Sequence, residues 1–321
     1  MTSADTNTLA QAQMAQAQMA QAEMAQAILA HHAAVFAPEG SALPAQPMPA
    51  ARQSEPVYLA ALQACSALGF IAIDAECLAR AWQAQTERSG RFDAAHWPDD
   101  ARDFGLIPAD AAEPAAFAAC PPSLGLYAVL PDAQWVGRMA RAGVPTVQLR
   151  FKSEDPQAIT REVQAAVAAV QGTSARLFIN DHWQAAIDAH AYGVHVGQED
   201  LDALPATALD AIRTAGLRLG VSTHGYAEMV RAQAVRPSYI ALGAVFPTTL
   251  KRMATAPQGV ARLAAYVRLM HQYPLVAIGG ISAEQFPEIL ATGAGSIAVV
   301  RALVNAQDPE AQAQALQSAW H

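Results

Sequence analysis

From residue 124 onward, short apolar runs alternate with longer amphipathic stretches. Eight runs rich in β-branched and other apolar residues occupy 124–130, 146–151, 176–181, 193–197, 217–223, 239–246, 275–280 and 296–303. Helical patterns such as 156–170, 227–235 and 260–271 separate them. Eight strand–helix units in this length of chain predict a (β/α)₈ TIM barrel near the lower size limit of that fold.

An open, doubly wound α/β sheet is the alternative for such an alternation. That fold usually carries a Gly-rich phosphate loop directly after its first strand. Here the first run is followed by Pro131 and Asp132. The barrel is therefore the preferred architecture.

The N-terminal part of the chain has a different texture. Residues 10–29 repeat a five-residue Ala-, Gln- and Met-rich unit that advances a helix by about 500° per repeat, so no apolar stripe forms. Residues 37–56 read as a Pro-rich linker. We predict a low-complexity tail and linker (1–56), an accessory segment with a helix, a short strand at 69–73 and a second helix (57–122), and a catalytic barrel (123–321).

Composition limits the classes of partner. The net charge is −8 and hydrophobic residues make up 53% of the chain. A nucleic-acid or anionic-membrane partner would require a basic face, which this charge argues against. The three cysteines show no metal or disulfide spacing, and no apolar run reaches the ~18–20 residues of a membrane span. We expect a cytoplasmic enzyme, and a homo-oligomer stays open.

Polar residues gather where the predicted strands end. Gln148, Arg150 and Lys152 alternate with apolar residues that must face the surrounding helices, so we expect this polar trio in the barrel mouth. An amide, a guanidinium and an ammonium that converge there can hold a heterocycle edge and a polyanion. Lys152 and Lys251 are the only lysines among 20 basic residues, which favours positions where the fork of an arginine will not serve.

Two carboxylates follow neighbouring strands. Asp181 ends the third run and Asp200 lies in the loop after the fourth. Magnesium typically takes one or two carboxylates together with substrate phosphate, so this pair suits Mg²⁺ beside the basic trio. A helix N-cap is the alternative role for Asp181 and its neighbour Asn180.

The later strand ends carry hydroxyl groups and glycines. Ser222 ends the fifth run, and Thr248 lies beyond the sixth. Gly280 ends the seventh run, and Val300 with Arg301 lies at the end of the eighth. The loops after strands 7 and 8 commonly bind phosphate through backbone N–H groups. His224, after the fifth run, is interpreted as a structural histidine.

Taken in order, QLRFK, FINDH, GVHVGQEDL, GVSTH, GAVFPTTLK, AIGGI and GAGSIAVV resemble the thiamine phosphate synthase family over about residues 124–302. The resemblance implies a transferase of thiamine biosynthesis with two small-molecule substrates and Mg²⁺ as cofactor. It would join 4-amino-5-hydroxymethyl-2-methylpyrimidine diphosphate to 4-methyl-5-(2-hydroxyethyl)thiazole phosphate and release pyrophosphate.

The resemblance also implies residue roles. Gln148 would hold the pyrimidine, and Asp181 and Asp200 would bind Mg²⁺. The leaving pyrophosphate would be contacted by Asn180 and by the catalytic residues Arg150, Lys152, Ser222 and Lys251. The thiazole phosphate would be held by Thr248, Gly280, Val300 and Arg301.

Three departures from the family pattern leave alternatives open. Leu250 stands where the family often has threonine, Met253 where aspartate is common, and Arg301 where a small residue is usual. A related thiazole tautomerase would not need the strand 2 trio or both aspartates. A non-catalytic sensor of thiamine-related phosphates, with the N-terminal region as its output module, is the other alternative.

We expect that residues 1–56 can be deleted without loss of the chemistry, because they carry no chemical motif. The check is a comparison of turnover by the trimmed and full-length proteins after both are shown to be folded. Loss of turnover in a folded trimmed protein would give the tail a role in the reaction. Residues 57–122 are excluded from this expectation because their apolar helices can pack on the barrel.

Overall fold

A computed structural model describes residues 3–36, 43–112, 115–205, 207–248 and 255–320, with side chains from residue 13 onward. The chain divides into two compact units, Met1–Leu106 and Ile107–His321. Among the helices in these described ranges, none is both long and apolar enough to cross a membrane.

The first unit is helical. It consists of α1 (Ser3–Phe36), α2 (Pro56–Ala67), α3 (Ala72–Ser89) and a 3₁₀ turn at Ala101–Phe104. The five-residue repeat therefore lies within a single helix. Phe36, at the end of α1, packs against Trp97 with ring centroids 4.6 Å apart and against Phe70 at 5.6 Å. Deleting residues 1–56 thus removes part of the aromatic core of this unit.

The prediction of a strand at 69–73 is wrong. These residues, all within the described ranges, turn from α2 into α3. The Phe70 N–H donates to Cys65 O at the end of α2, and extended Ile71 is the N-cap of α3. An isolated apolar run has no sheet to pair with in this unit, so its residues join the two helices.

The second unit contains the predicted barrel. The strands are β1 (Gly125–Leu130), β2 (Thr146–Leu149), β3 (Arg176–Asn180), β4 (Gly193–Val196), β5 (Arg218–Thr223), β6 (Tyr239–Leu242), β7 (Leu275–Ile278) and β8 (Ser296–Val299). They close in sequential order, and every neighbouring pair is parallel. The predicted (β/α)₈ fold is confirmed.

Helices fill the connections between the strands. They are α4 (Ala133–Arg141), α5 (Pro156–Val170), α6 (Trp183–Asp188), α7 (Gln198–Ala203), α8 (Ala208–Thr214), α9 (Tyr226–Gln233), α10 (Gly259–Met270), α11 (Phe286–Ala291), α12 (Arg301–Val304) and α13 (Pro309–Gln317). Asp132 caps α4 by accepting from the Trp135 N–H at 2.8 Å. The position of a doubly wound phosphate loop is therefore taken by a helix cap.

The unit that contains the barrel begins at Ile107, ahead of the predicted boundary at 123. The Gln233 side chain accepts from the Ile107 N–H at 3.0 Å and donates to Ile107 O at 2.7 Å. Arg236 donates to Ala109 O at 2.7 Å, and its own carbonyl accepts from the Phe117 N–H. These bonds place the segment that precedes β1 with the barrel and not with the helices of the first unit.

Aromatic rings fill the interior of the barrel. Tyr127, Phe178 and Tyr239 are fully or almost fully buried there, and the Phe178 and Tyr239 centroids lie 5.1 Å apart. Two glycines make room for them. A Cβ at Gly193 would lie 2.5 Å from Phe178, and one at Gly220 would lie 2.1 Å from Cζ of Tyr239. Both distances are far below van der Waals contact, so these positions require glycine.

We expect Gly220→Ala to lower the free energy of unfolding by about 1–3 kcal/mol, the usual cost of overpacking a filled core. The added methyl group would clash with the rigid ring of Tyr239, which is fully buried and has no space to move into. Urea unfolding of the variant and of the wild type measures the difference.

The control is the same substitution in a Tyr239→Leu background, where most of the clash is gone. A double-mutant cycle should then show a coupling between the two positions. An equal loss in both backgrounds would mean that the Tyr239 ring is not what excludes a side chain at position 220.

Candidate active site

Gln148 and Asn180 meet inside the barrel mouth. Gln148 is only 4% exposed. Its Nε2 donates to Asn180 Oδ1 at 2.9 Å, and its Oε1 accepts from the Tyr127 hydroxyl at 2.9 Å. The structure thus brings together two of the predicted substrate-binding residues from β2 and β3, with their amide edges fixed.

The rest of the predicted strand 2 trio lies beyond the strand. β2 ends at Leu149, so Arg150 and Lys152 belong to the following loop and are not on a strand face as the sequence predicted. Arg150 is half-buried, and its N–H donates to Leu130 O at 2.7 Å. The Lys152 side chain is 58% exposed and reaches Asp181, with Nζ 2.6 Å from Oδ2.

Asp181 occupies a constrained backbone position. Its φ is 63°, a left-handed conformation that is uncommon for a residue with a side chain. Its N–H donates to His195 O at 2.9 Å, which holds the turn against β4. The side chain is 18% exposed and faces Lys152. Asp181 therefore does not cap α6, whose N-cap is His182.

Asp200 lies in the first turn of α7, close enough to β4 that its charge acts on the His195 ring. Within the described residues, no group of three or more His, Cys, Asp or Glu side chains is placed to hold a metal ion.

A buried chain of hydroxyl and imidazole groups continues from Gln148 across the barrel. The Tyr127 and Tyr239 hydroxyls are 2.7 Å apart, and Tyr239 Oη lies 2.6 Å from His195 Nδ1. His195 Nε2 lies 2.8 Å from the Ser222 hydroxyl. Ser222, predicted at a strand end, is thus linked through side chains to Gln148 and Asn180.

The hydrogen bonds in this chain are all donated in the same direction along it. Burial, together with the charge of Arg150 and against that of Asp200, lowers the pKa of His195 to about 4, so the ring is neutral at neutral pH. Burial raises the pKa of both tyrosines, so both keep their protons. The Tyr127 hydroxyl donates a hydrogen bond to Gln148 Oε1 and accepts one from Tyr239, which in turn accepts one from the His195 Nδ1–H. His195 Nε2 must then accept from Ser222.

Tyr127, His195 and Tyr239 were not predicted from the sequence. The available signal was their position within the strands. They lie on the inward face of β1, β4 and β6, two residues before Val129, Gly197 and Ala241 respectively. In an isolated strand pattern such residues read as ordinary core aromatics or a core histidine. Their partners lie 21, 44 and 112 residues away along the chain, which a local pattern does not reveal.

The loops after β6 and β7 pack on each other through the backbone. The Phe246 N–H donates to Gly279 O at 2.9 Å. Gly280 has φ 69°, and a Cβ there would lie 2.4 Å from Pro247 O, so only glycine fits. Thr248 is half-buried in the same region. Lys251, Leu250 and Met253 lie outside the described residues.

The end of β8 leads directly into a short helix. Val300 is the N-cap of α12, and Arg301 is its first residue and is exposed. After β5, His224 pairs with Glu228 through Nδ1 and Oε2 at 2.7 Å.

Comparisons with known proteins match the part of the chain that forms the barrel. The family described as thiamine monophosphate synthase matches residues 126–303. The chain belongs to the thiamine monophosphate synthase family. All of the predicted site residues lie within this match.

Individual relatives match the same part of the chain. Thiamine-phosphate synthase of Neisseria meningitidis serogroup B is 54% identical over 197 residues, which are 61% of this chain and 95% of that protein. Thiamine-phosphate synthase of Cronobacter sakazakii is 56% identical over 192 residues, 60% of this chain and 90% of that one. The solved thiamine phosphate pyrophosphorylase of Pyrococcus furiosus is 26% identical with a TM-score of 0.53, and covers 61% of this chain and 95% of its own.

We expect Tyr239→Phe to lower the free energy of unfolding by about 1–3 kcal/mol, because it removes the hydrogen bond that the Tyr127 hydroxyl accepts and leaves the buried His195 Nδ1–H without an acceptor. Urea unfolding measures the loss. Tyr266→Phe is the matched control, since it also removes a buried tyrosine hydroxyl but leaves the acceptor, Gln258 Oε1, bonded to Arg262. An equal or smaller loss in Tyr239→Phe would show that the chain through His195 does not stabilise the barrel.

Proposed function

We propose that this chain joins 4-amino-5-hydroxymethyl-2-methylpyrimidine diphosphate to 4-methyl-5-(2-hydroxyethyl)thiazole phosphate, giving thiamine phosphate and pyrophosphate. The observation that carries the proposal is the placement of the Gln148–Asn180 amide pair beside the Lys152–Asp181 ion pair. One pair suits a heterocycle edge, and the other suits a charged phosphate group. The printed names of the relatives agree with it.

In this proposal, the C–O bond between the pyrimidine methylene group and the diphosphate breaks, and its electron pair leaves with the pyrophosphate. The aminopyrimidine stabilises the positive charge left on the methylene carbon. The thiazole nitrogen then forms the new C–N bond. This nitrogen has no proton to lose, so no general base is required, in keeping with a neutral, buried His195.

Arg150 and Lys152 would neutralise the charge that grows on the pyrophosphate. Positive groups fixed in advance near a developing anion are among the largest contributions that a protein makes to catalysis. Lys152 is held by Asp181 at 2.6 Å, which limits the freedom of its long side chain before substrate arrives. Lys251 would add a second ammonium group, and Ser222 and Asn180 would contact the same leaving group.

The donor set suits magnesium. Asp181 and Asp200 offer hard carboxylate oxygens, and the described residues provide no complete metal cage, as expected where phosphate oxygens and water supply the remaining ligands. When bound, Mg²⁺ would supply positive charge to the phosphate oxygens. Asp181 would then share its carboxylate between the ion and Lys152.

The thiazole phosphate would bind at the opposite side of the mouth. Gly280, Val300 and Arg301 would offer backbone N–H groups, and Thr248 a hydroxyl group. The glycine at 280 lets its backbone pack directly against the carbonyls of Phe246 and Pro247, which brings the loops after β6 and β7 together. The side chain of Arg301 would begin beside this pocket and add positive charge to it.

We expect the purified chain to form thiamine phosphate from the two substrates with Mg²⁺ and not after EDTA treatment.

Lys152→Ala should reduce kcat more than about 10²-fold, the loss seen when one transition-state electrostatic contact is removed. Asp181→Ala and Asp200→Ala should raise the Mg²⁺ concentration needed for half-maximal rate. Chromatographic quantitation of thiamine phosphate measures all of these rates.

Arg161→Ala is the control, because this exposed cation lies on α5, which carries none of the predicted site residues, and its ion-pair partner is Asp155 at 3.9 Å. It should leave the rate unchanged. Absence of product with the wild type would reject the proposed reaction. Full activity after EDTA treatment would reject the metal, and wild-type turnover in Lys152→Ala would remove this residue from the reacting centre.

A further inference from the structure

The Arg231 side chain joins helix α9 to helix α7. Its Nε donates to Gln198 Oε1 at 2.8 Å, and its Nη2 donates to the same oxygen. Its Nη1 donates to Asp202 Oδ2 at 3.0 Å. One guanidinium therefore holds both the first residue of α7 and a residue in the next turn.

Gln198 passes this connection on to strand β5. Its side chain is 6% exposed, and its Nε2 donates to Ser222 O at 2.7 Å. Both polar atoms of this buried amide are thus used, one by Arg231 and one by the backbone that carries Ser222. Helix α9, helix α7 and the end of β5 are connected through a single side chain.

Helix α7 depends on such contacts for its position. It spans six residues, Gln198–Ala203, and no side chain caps its N-terminus at Gly197, a described residue. A helix this short is unstable by itself in water, so tertiary bonds must hold it. Asp200 lies in its first turn, two residues from Gln198, and moves with it.

We propose that Arg231 is a positioning residue, which sets the carboxylate of Asp200 and the hydroxyl of Ser222 by holding Gln198. This inference rests on the proposed function, in which Asp200 binds Mg²⁺ and Ser222 contacts pyrophosphate. Arginine suits the role because two N–H groups of its planar guanidinium converge on one amide oxygen while a third donates to a carboxylate. A lysine ammonium has no such geometry.

The experiment compares Arg231→Met, Asp202→Asn and Arg161→Met with the wild type. Arg231→Met keeps the aliphatic length of the side chain but frees Gln198, and Asp202→Asn weakens only the outer ion pair. Three quantities are measured on the full chain. They are hydrogen exchange of the amides in α7, the affinity for Mn²⁺ as a magnesium probe by electron paramagnetic resonance, and the KM values for both substrates.

For Arg231→Met we expect faster exchange confined to α7 and the end of β5. The Kd for Mn²⁺ should rise about 10-fold, the lower end of the effect of losing an outer-shell partner. The KM for the pyrimidine diphosphate should rise while that for the thiazole phosphate stays unchanged. Asp202→Asn should have a smaller effect, and Arg161→Met should match the wild type.

Unchanged exchange in α7, or faster exchange throughout the barrel, would overturn the inference, because the first denies the connection and the second shows general destabilisation. So would faster exchange in α7 with unaltered Mn²⁺ affinity. A wild type that forms no thiamine phosphate but binds Mn²⁺ in an Arg231-dependent way would reject the proposed reaction and support the positioning role. Absence of Mn²⁺ binding in the wild type would overturn the inference, and thiamine phosphate formed by that protein would keep the proposed reaction while rejecting its metal.

Discussion

The interior of this barrel depends on the hydrogen bonds of the Tyr239 hydroxyl group. It lies between Tyr127 and His195 in a region that excludes water, where an unsatisfied polar group would be costly. The ring that carries it fits only because residue 220 is glycine. Packing and hydrogen bonding therefore depend on each other here, since the ring that fills the barrel also carries the hydroxyl group that bonds Tyr127 and His195.

The barrel itself was predictable because its signal is local and repeated. Each strand buries both faces, so eight apolar runs stand out against amphipathic helices, and β2 and α5 appear within a residue or two of where the pattern predicts them. The failure at 69–73 has the same origin. An apolar run shows burial but does not show whether a neighbouring strand exists, and Ile71 instead forms the N-cap of α3.

The site was only partly predictable, for reasons of distance along the chain. Gln148, Asn180 and Asp181 stand at strand ends, where the fold alone makes polar residues conspicuous. The alternation that placed Arg150 and Lys152 on one face stops being valid when the strand ends at Leu149. His195 and its tyrosine partners required pairings that only the closed barrel creates. The contact between Arg231 and Gln198 is of the same kind, since it joins residues 33 positions apart.

Every hydrogen bond in the row from Ser222 to Asn180 is donated in the same direction, so the two ends of the row present different chemical groups. Five hydrogen bonds share this polarity, so the chain acts as a single molecular dipole, with a hydroxyl lone pair at one end and an amide N–H at the other. A group that accepts a hydrogen bond from Ser222 competes with His195 Nε2 for a single proton, because the serine hydroxyl has only one to donate. The cost of that exchange is one buried hydrogen bond of the imidazole, while the other four bonds keep their order.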